Sequence, residues 1–574
     1  MVLIFSIFSV WLVYSTAGKT SGCTQSVHGL YHSAYVYQIA NGVIPPTNPY
    51  SIGMPASNYW GWYLLLALIM KLFNITSFES SLLVNTAALI TFLTAYWIIT
   101  GHFIRNIFAR LVFCTVPFIM LTPVEIVKII FLYMKDIHYT PPLTDLFPSV
   151  SILGMLLENR CLFLHKFLNF NGFPTGIALF TCLLVLVMAP APHRIISPLL
   201  CALGALLTAF FHPASGMGVA AIAVAGGMIA LVTFISPAQG KRSQFMQDIA
   251  PFAFMALGLA FALPYMMSLG KALGKGISLN CHLNTLLINI LHASWTMLPS
   301  LLIYGFGLIR FPKLSRQGKL VFLVGVVLLL GLIFIIIYDN TQYQFAILSS
   351  IPTSLLLLAI YQSYFNHRKL ADTYWYYPLL LLLLVLFTIG TCNIRIVISQ
   401  YHTPTWAKRD PYVYNGQAID LKVDSRDPEL QNREKAYEWL RRNTPHDAYF
   451  LEYPLYAEAM LSSVITQRRK VVSSPNMYTT HIKHHEDLLA TSMEFLASLR
   501  NCAMTRETVR MLFDIKVPWP ETIYVLIKKV GSYRNYHLFE RVCLADVSSW
   551  ISTAYANQHF VIYKVENPHY LTRK

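Results

Sequence analysis

Two histidines four residues apart, His28 and His32, open the segment HGLYHSAYVYQIANGVIPPTNPYSIGMPASNYWGW, where aromatic, polar and proline residues crowd together. At that spacing they share a helix face. An imidazole titrates near neutral pH, which suits a general base that must take a proton from a hydroxyl. The same pair suits interfacial hydrogen bonding without chemistry equally well. Carboxylates are scarce: none lies between Lys19 and Tyr63, and only eight precede residue 396. Asp136 and Asp145, in KDIHYTPPLTDLFPS with His138 between them, flank a proline-rich turn. They are the preferred base candidates, ahead of His28 and His32.

Residues suited to holding a substrate lie nearby in sequence. Tyr31 and Tyr35, with Asn58 and Tyr59 at the far end of the segment, combine flat faces with hydroxyl and amide groups, a combination that fits sugar rings. Trp60, Trp62 and Tyr63 directly precede an apolar run and read instead as an interfacial aromatic belt. Arg160 and Lys166 are cations for a phosphate. His212, in FFHPASG, touches a lipid phosphate or caps a helix. His481, His484 and His485 have the spacing of a helix face compatible with a metal. A basic polar face accounts for them more simply, and no metal site is assigned.

The elements that position these residues follow from composition. The chain has 574 residues, 55% hydrophobic and only 12% charged, with mean hydropathy +0.51, which marks a polytopic membrane protein. Residues 1–395 hold 20 Lys+Arg and 8 Asp+Glu, leaving 23 and 19 of the total 43 and 27 for the remainder. A membrane part therefore precedes a soluble one. The net charge of +16 reflects basic loops that set membrane topology and not nucleic-acid binding.

Twelve apolar runs approach membrane length, at about 1–17, 59–73, 81–100, 111–134, 173–190, 195–212, 214–235, 249–270, 285–309, 320–338, 344–361 and 375–393. Basic loops at Lys241–Arg242, Lys313–Lys319 and Arg368–Lys369 read as cytoplasmic. They place the 135–172 loop and everything after residue 394 outside. An even number of spans contradicts that arrangement, so eleven or thirteen are expected, with 59–73 the weakest candidate. The amino-terminal run lacks a basic flank and reads as a retained helix and not a signal peptide.

After a linker at 396–427, DPELQNREKAYEWLRRNTPHDAYFLEY places Ala436, Trp439 and Leu440 at helical spacing before a strand-like run. Strand-like RKVVSS, TIYVLIKKV and HFVIYKVE follow, with the helical HHEDLLATSMEFLASLR among them, the pattern of an α/β domain over 428–574. Of nine cysteines, Cys502 and Cys543 share this domain and can pair in an oxidising compartment.

Three stretches resemble GT-C type membrane glycosyltransferases and related bacterial membrane proteins. They are HSAYVYQIANGVIPPTNPYSIGMPASNYWGWYLL after the first helix, YDNTQYQFAILSSIPTSLLL, and EKAYEWLRRNTPHDAYFLEYP. The resemblance implies sugar transfer from a polyprenyl-phosphate-linked donor to a lipid, glycan or protein acceptor at the outer face of a bacterial cytoplasmic membrane. It also implies an acid at the start of the first outer loop, where this chain has His28 instead, and a second acid in an early outer loop, where Asp136 and Asp145 stand. A divalent cation is compatible with metal-dependent members; no cofactor is identified.

The expected fold is thus a polytopic α-helical membrane protein with outer loops at 18–58 and 135–172 forming a cavity, and an extracytoplasmic carboxyl-terminal α/β domain. The acid-free first loop keeps an alternative open, a non-catalytic membrane component that binds or transports a lipid-linked saccharide. A secondary transporter is a weaker option, because inverted repeats are not found.

Overall fold

A computed structural model of the chain describes residues 1–16, 27–54, 59–104, 107–119, 163–168, 170–188, 196–235, 242–272, 278–279, 286, 290, 297–336, 343–365, 428–453, 459–473, 485–529 and 542–571. Its helices include α1 (Val2–Thr16), α2 (Val27–Ala40), α3 (Trp60–Phe73), α4 (Ser77–Phe103), α5 (Ile107–Ile119), α6 (Phe163–Leu168), α7 (Phe173–Met188), α8 (Ile196–Phe211), α9 (Pro213–Ile235) and α10 (Arg242–Ala272). They continue with α11 (Leu298–Arg310), α12 (Arg316–Phe334), α13 (Tyr343–Phe365), α14 (Pro428–Asn443), α15 (Ala459–Thr466), α16 (His485–Arg500) and α17 (Arg506–Asp514). The chain divides into two compact units, one of residues 1–17, 82–271 and 275–403, the other of 18–81, 272–274 and 404–574.

In the first unit, apolar composition and length make an integral membrane protein. Five helical segments among the described residues, Ser77–Phe103, Pro213–Phe234, Phe245–Leu269, Arg316–Phe334 and Gln344–Ser363, are long and apolar enough to cross a bilayer. At about 1.5 Å per residue, nineteen or more residues match a hydrocarbon core of about 30 Å. The first of them begins in the second unit, since the division falls inside α4. Helix α1 packs Phe5 edge-on to Trp97 at 6.1 Å. Its other face leaves Leu3, Ile7 and Trp11 exposed, which suits contact with lipid.

Small residues let these helices approach closely, as they must where lipid supplies no hydrophobic drive between helices. A Cβ on Gly258 would lie 2.1 Å from the Ala202 carbonyl oxygen, and one on Gly216 would lie 2.7 Å from Ala209 Cα. Pro352 removes a backbone donor inside α13. Around it Ser349, Ser350 and Ser354 donate to carbonyls three residues back and Thr353 to one four residues back, while Tyr96 and Ser354 bond across helices at 2.5 Å.

The second unit holds a five-stranded mixed sheet, order β4-β3-β5-β7-β6, numbering after a small antiparallel pair in the membrane part, β1 (Ser278–Leu279) and β2 (Ile335–Ile336). Its strands are β3 (Tyr449–Tyr453), β4 (Arg469–Lys470), β5 (Thr522–Lys528), β6 (Ile551–Ala556) and β7 (Phe560–Glu566). β4, β3 and β5 run parallel and β7 and β6 antiparallel. Alternation along β5 divides the core in two. Ile523, Val525 and Ile527 join Leu488, Phe495 and Leu512 on one face, and Leu526 joins Ala436, Tyr437, Leu440 and Phe450 on the other. A disulfide joins Cys502 to Cys543.

The first loop belongs to this unit. The Ile52 N–H donates to the Val471 carbonyl, the Lys470 N–H donates to the Pro49 carbonyl, and Ser51 bridges Val472 in antiparallel sense. Segment 49–52 therefore lies along the outer edge of β4, with Ile52 inside the domain's core.

Candidate functional site

His32 lies in α2, within the stretch 18–58 read from the sequence as an outer loop. From Leu30 to Asn41 the chain has neither glycine nor proline, so nothing interrupts a helix until Gly42, at φ +92°, and the Pro45-Pro46 pair end it. α3, only fourteen residues long at about 21 Å, packs its Gly61, Trp62, Tyr63, Leu66 and Ala67 face inward.

Between the two helices an aromatic cluster closes around His32. His32 Nδ1 bonds to the Tyr63 hydroxyl, Tyr63 stacks on Tyr35 at 5.3 Å and 15°, and Tyr35 and Tyr31 share a hydroxyl hydrogen bond of 3.1 Å. Tyr31 stacks in turn on Tyr50 at 5.4 Å and 20°, and the Tyr50 hydroxyl donates to the Leu30 carbonyl at 3.3 Å. Tyr59 lies 6.4 Å from the His32 ring. Tyr31, Tyr35, Tyr50 and Tyr63 have no exposed surface and His32 only 2%. The faces that could stack on sugar instead stack on one another. Ser33 bonds to Ser77 at the start of α4, where Thr76 and Glu79 form a reciprocal cap.

Trp62 and Tyr63, expected in an interfacial belt, are instead fully buried. The chemistry of a Tyr beside a His was present in the sequence. Which of eight aromatics would meet His32 was not.

In the membrane unit, Lys166 of α6 is 5% exposed and lies close enough to His212 to act on it electrostatically. His212 caps α9: its Nδ1 accepts from the Ser215 N–H at 3.3 Å and meets Ser215 Oγ at 3.0 Å. Phe173 packs on the ring at 4.6 Å. Of the two roles read for His212 the helix cap is formed.

Asp136, Asp145, Arg160 and Asn58 lie outside the described residues, as does the side chain of His28, whose backbone forms the first turn of α2. Among the described residues no group of three potential metal ligands occurs. His485 starts α16 and is buried at 2%, turned away from the surface face on which a His481, His484 and His485 triad would depend.

The carboxyl-terminal domain contains a second cluster. Glu452 on β3 accepts from Lys470 Nζ at 3.0 Å, from Arg433 Nη2 at 2.8 Å, and from the Tyr437 hydroxyl. Burial alone would raise this carboxyl, but the two cations and the hydroxyl outweigh it and hold Glu452 down at about 2. Its elements were legible as YFLEY and RKVV; the pairing depends on β3 and β4 lying side by side.

No family model matches the chain, and no curated protein does. Among solved structures it is similar to the Archaeoglobus fulgidus oligosaccharyltransferase in the apo form, at 10% identity over 96% of this chain and 72% of that one, TM-score 0.43. It is similar also to ArnT from Cupriavidus metallidurans in the apo state, at 8% identity over 98% and 97%, TM-score 0.45. A third likeness is to the arabinofuranosyltransferase AftD from mycobacteria, at 13% identity over 98% of this chain and 40% of that one, TM-score 0.46. These solved counterparts are GT-C glycosyltransferases.

Proposed function

We propose that the protein is a membrane glycosyltransferase that moves a sugar from a polyprenyl-phosphate-linked donor to an acceptor hydroxyl at the extracytoplasmic face. The observation that carries this reading is a histidine held by a tyrosine, His32 of α2 with Tyr63 of α3, in the aromatic cluster between the two helices. Tyr63 fixes the orientation of the imidazole, and when Nδ1 donates to the phenol, Nε2 carries the lone pair that a base needs. Asp136 or Asp145 is the preferred base, with His28 and His32 as the nearer alternatives in sequence. Arg160 and Lys166 supply positive charge for the donor phosphate, with His212 beside Lys166. Tyr31, Tyr35, Asn58 and Tyr59 bind sugar, Tyr31 and Tyr35 once the loop opens their packed faces.

One observation supports the extracytoplasmic side. A disulfide such as Cys502–Cys543 persists in oxidising compartments.

The test is transfer by purified protein in lipid, with an undecaprenyl-phosphate-linked sugar as donor. Removal of a general base typically costs about 10²- to 10⁴-fold in rate, so Asp136→Asn, Asp145→Asn or His32→Gln should lower turnover by that order. If all three, and His28→Ala, leave a measured rate unchanged, the roles assigned here are wrong. The acid-free loop and the burial of His32 favour a second reading, a non-catalytic component that binds or moves a lipid-linked saccharide. Tight donor binding with no turnover on any acceptor would establish it.

A further inference from the structure

A continuous set of contacts leads from His32 into the carboxyl-terminal domain. His32 bonds to Tyr63, Tyr63 stacks on Tyr35, Tyr35 bonds to Tyr31, and Tyr31 stacks on Tyr50. Tyr50 sits between Pro49, whose carbonyl accepts from the Lys470 N–H, and Ser51, which bridges Val472. Lys470 is itself fixed by Glu452. The adjoining loop residues are seated just as closely. Ile52 is 1% exposed within the domain's core, the Arg469 guanidinium donates to Thr47 Oγ1 at 3.4 Å, and Gly53 turns at φ +75° against Pro518.

We infer that the carboxyl-terminal domain positions His32, with the first loop serving as an added strand on its sheet and Ile52 and Gly53 as the positioning residues of that joint. Added strands of this kind gain affinity from main-chain hydrogen bonds and specificity from alternate side-chain pockets, and Ile52 fills such a pocket. Glycine is required at 53: a Cβ there would stand 2.6 Å from Pro518 Cδ, at a backbone angle that side chains rarely adopt. A substitution at Gly53 therefore acts on the joint and not on His32 directly. Coupling along packed side chains has physical content only when displacing one end measurably moves the other, and this arrangement permits that measurement.

The inference rests on the proposed role of His32, so its test reads His32 separately from activity. Full-length protein in lipid nanodiscs is treated with diethyl pyrocarbonate, and modification of His32 is followed by mass spectrometry. Wild-type His32, at 2% exposure, should be protected. Gly53→Val and the milder Ile52→Ala should each raise its modification rate about tenfold or more by local opening. A Ser51→Cys and Val472→Cys pair, oxidised to clamp the strand in the Gly53→Val background, should restore protection. Where wild type shows transfer, the loop variants should lower kcat by a similar factor with little change in KM, and the clamp should recover it.

Unchanged protection of His32 in both loop variants would overturn the inference. So would a rise that the clamp fails to reverse, since that signals general unfolding. Labelling as expected with no transfer by wild type would retire the glycosyltransferase reading and leave the positioning role standing.

Discussion

Replacing Glu452 with alanine is expected to destabilise the carboxyl-terminal domain by about 3–5 kcal/mol, the usual loss when one partner of a buried ion pair is removed. Lys470, at 1% exposure of its side chain, would be left charged and buried, whereas Arg433 at 11% still reaches water. The cost therefore comes chiefly from Lys470. Replacing both partners by apolar residues, as Glu452→Leu with Lys470→Met, should recover much of the loss, because it removes the stranded charge together with the pair. Thermal denaturation of the full-length protein and both variants measures this, and a double variant no better than Glu452→Ala would contradict it.

The same carboxylate gives the domain an acid limit. Glu452 is held at about 2, below its ordinary 4.5, so the folded state favours the ionised form more than the unfolded chain does. The resulting stability is complete above about pH 4.5 and is lost as pH falls toward 2. Over that window wild type should lose ~3 kcal/mol from this group, while Glu452→Gln should show a flatter dependence. Equal slopes for the two would remove Glu452 as the cause.

The second large effect concerns the disulfide. Cys502 and Cys543 close a loop with a sequence separation of 41, and constraining an unfolded chain over that length contributes about 4 kcal/mol. Cys502→Ser with Cys543→Ser should lower the melting temperature of the domain by roughly 10 °C. The bond ties the end of α16 to the segment leading into β6, the outermost strand. Hydrogen exchange should therefore accelerate in β6 and β7 before β3 and β5. A shift of only a degree or two would mean that the unfolded chain is already compact enough for the crosslink to add little.

Local patterns carried most of the secondary structure. The period-3.6 spacing of Ala436 and Leu440 and the alternation in TIYVLIKKV led to α14 and β5, because burial on one face imposes its period on the residues. The weak run at 59–73 was recognisable from length alone. The helix over 27–40 was obscured by its composition: it is buried all round by aromatic and hydroxyl side chains and so presents no apolar stripe. β6, ISTAYA, was missed for the opposite reason, since as an edge strand much of it is exposed and only Ile551 shows the core pattern.

What the sequence determined by itself was the membrane character of the chain, the α/β character of its carboxyl-terminal part, the eligibility of Cys502 and Cys543, and the short list of residues able to do chemistry. These follow from composition and spacing, which act locally. Only the tertiary structure decided that Tyr63 holds His32, that Glu452 is clasped by Lys470 and Arg433, and that residues 49–52 extend the sheet at β4. Each of those depends on a contact between segments distant in the chain, reaching more than four hundred residues for the last. Such contacts are selected by which buried surfaces fit together, and no local period records them.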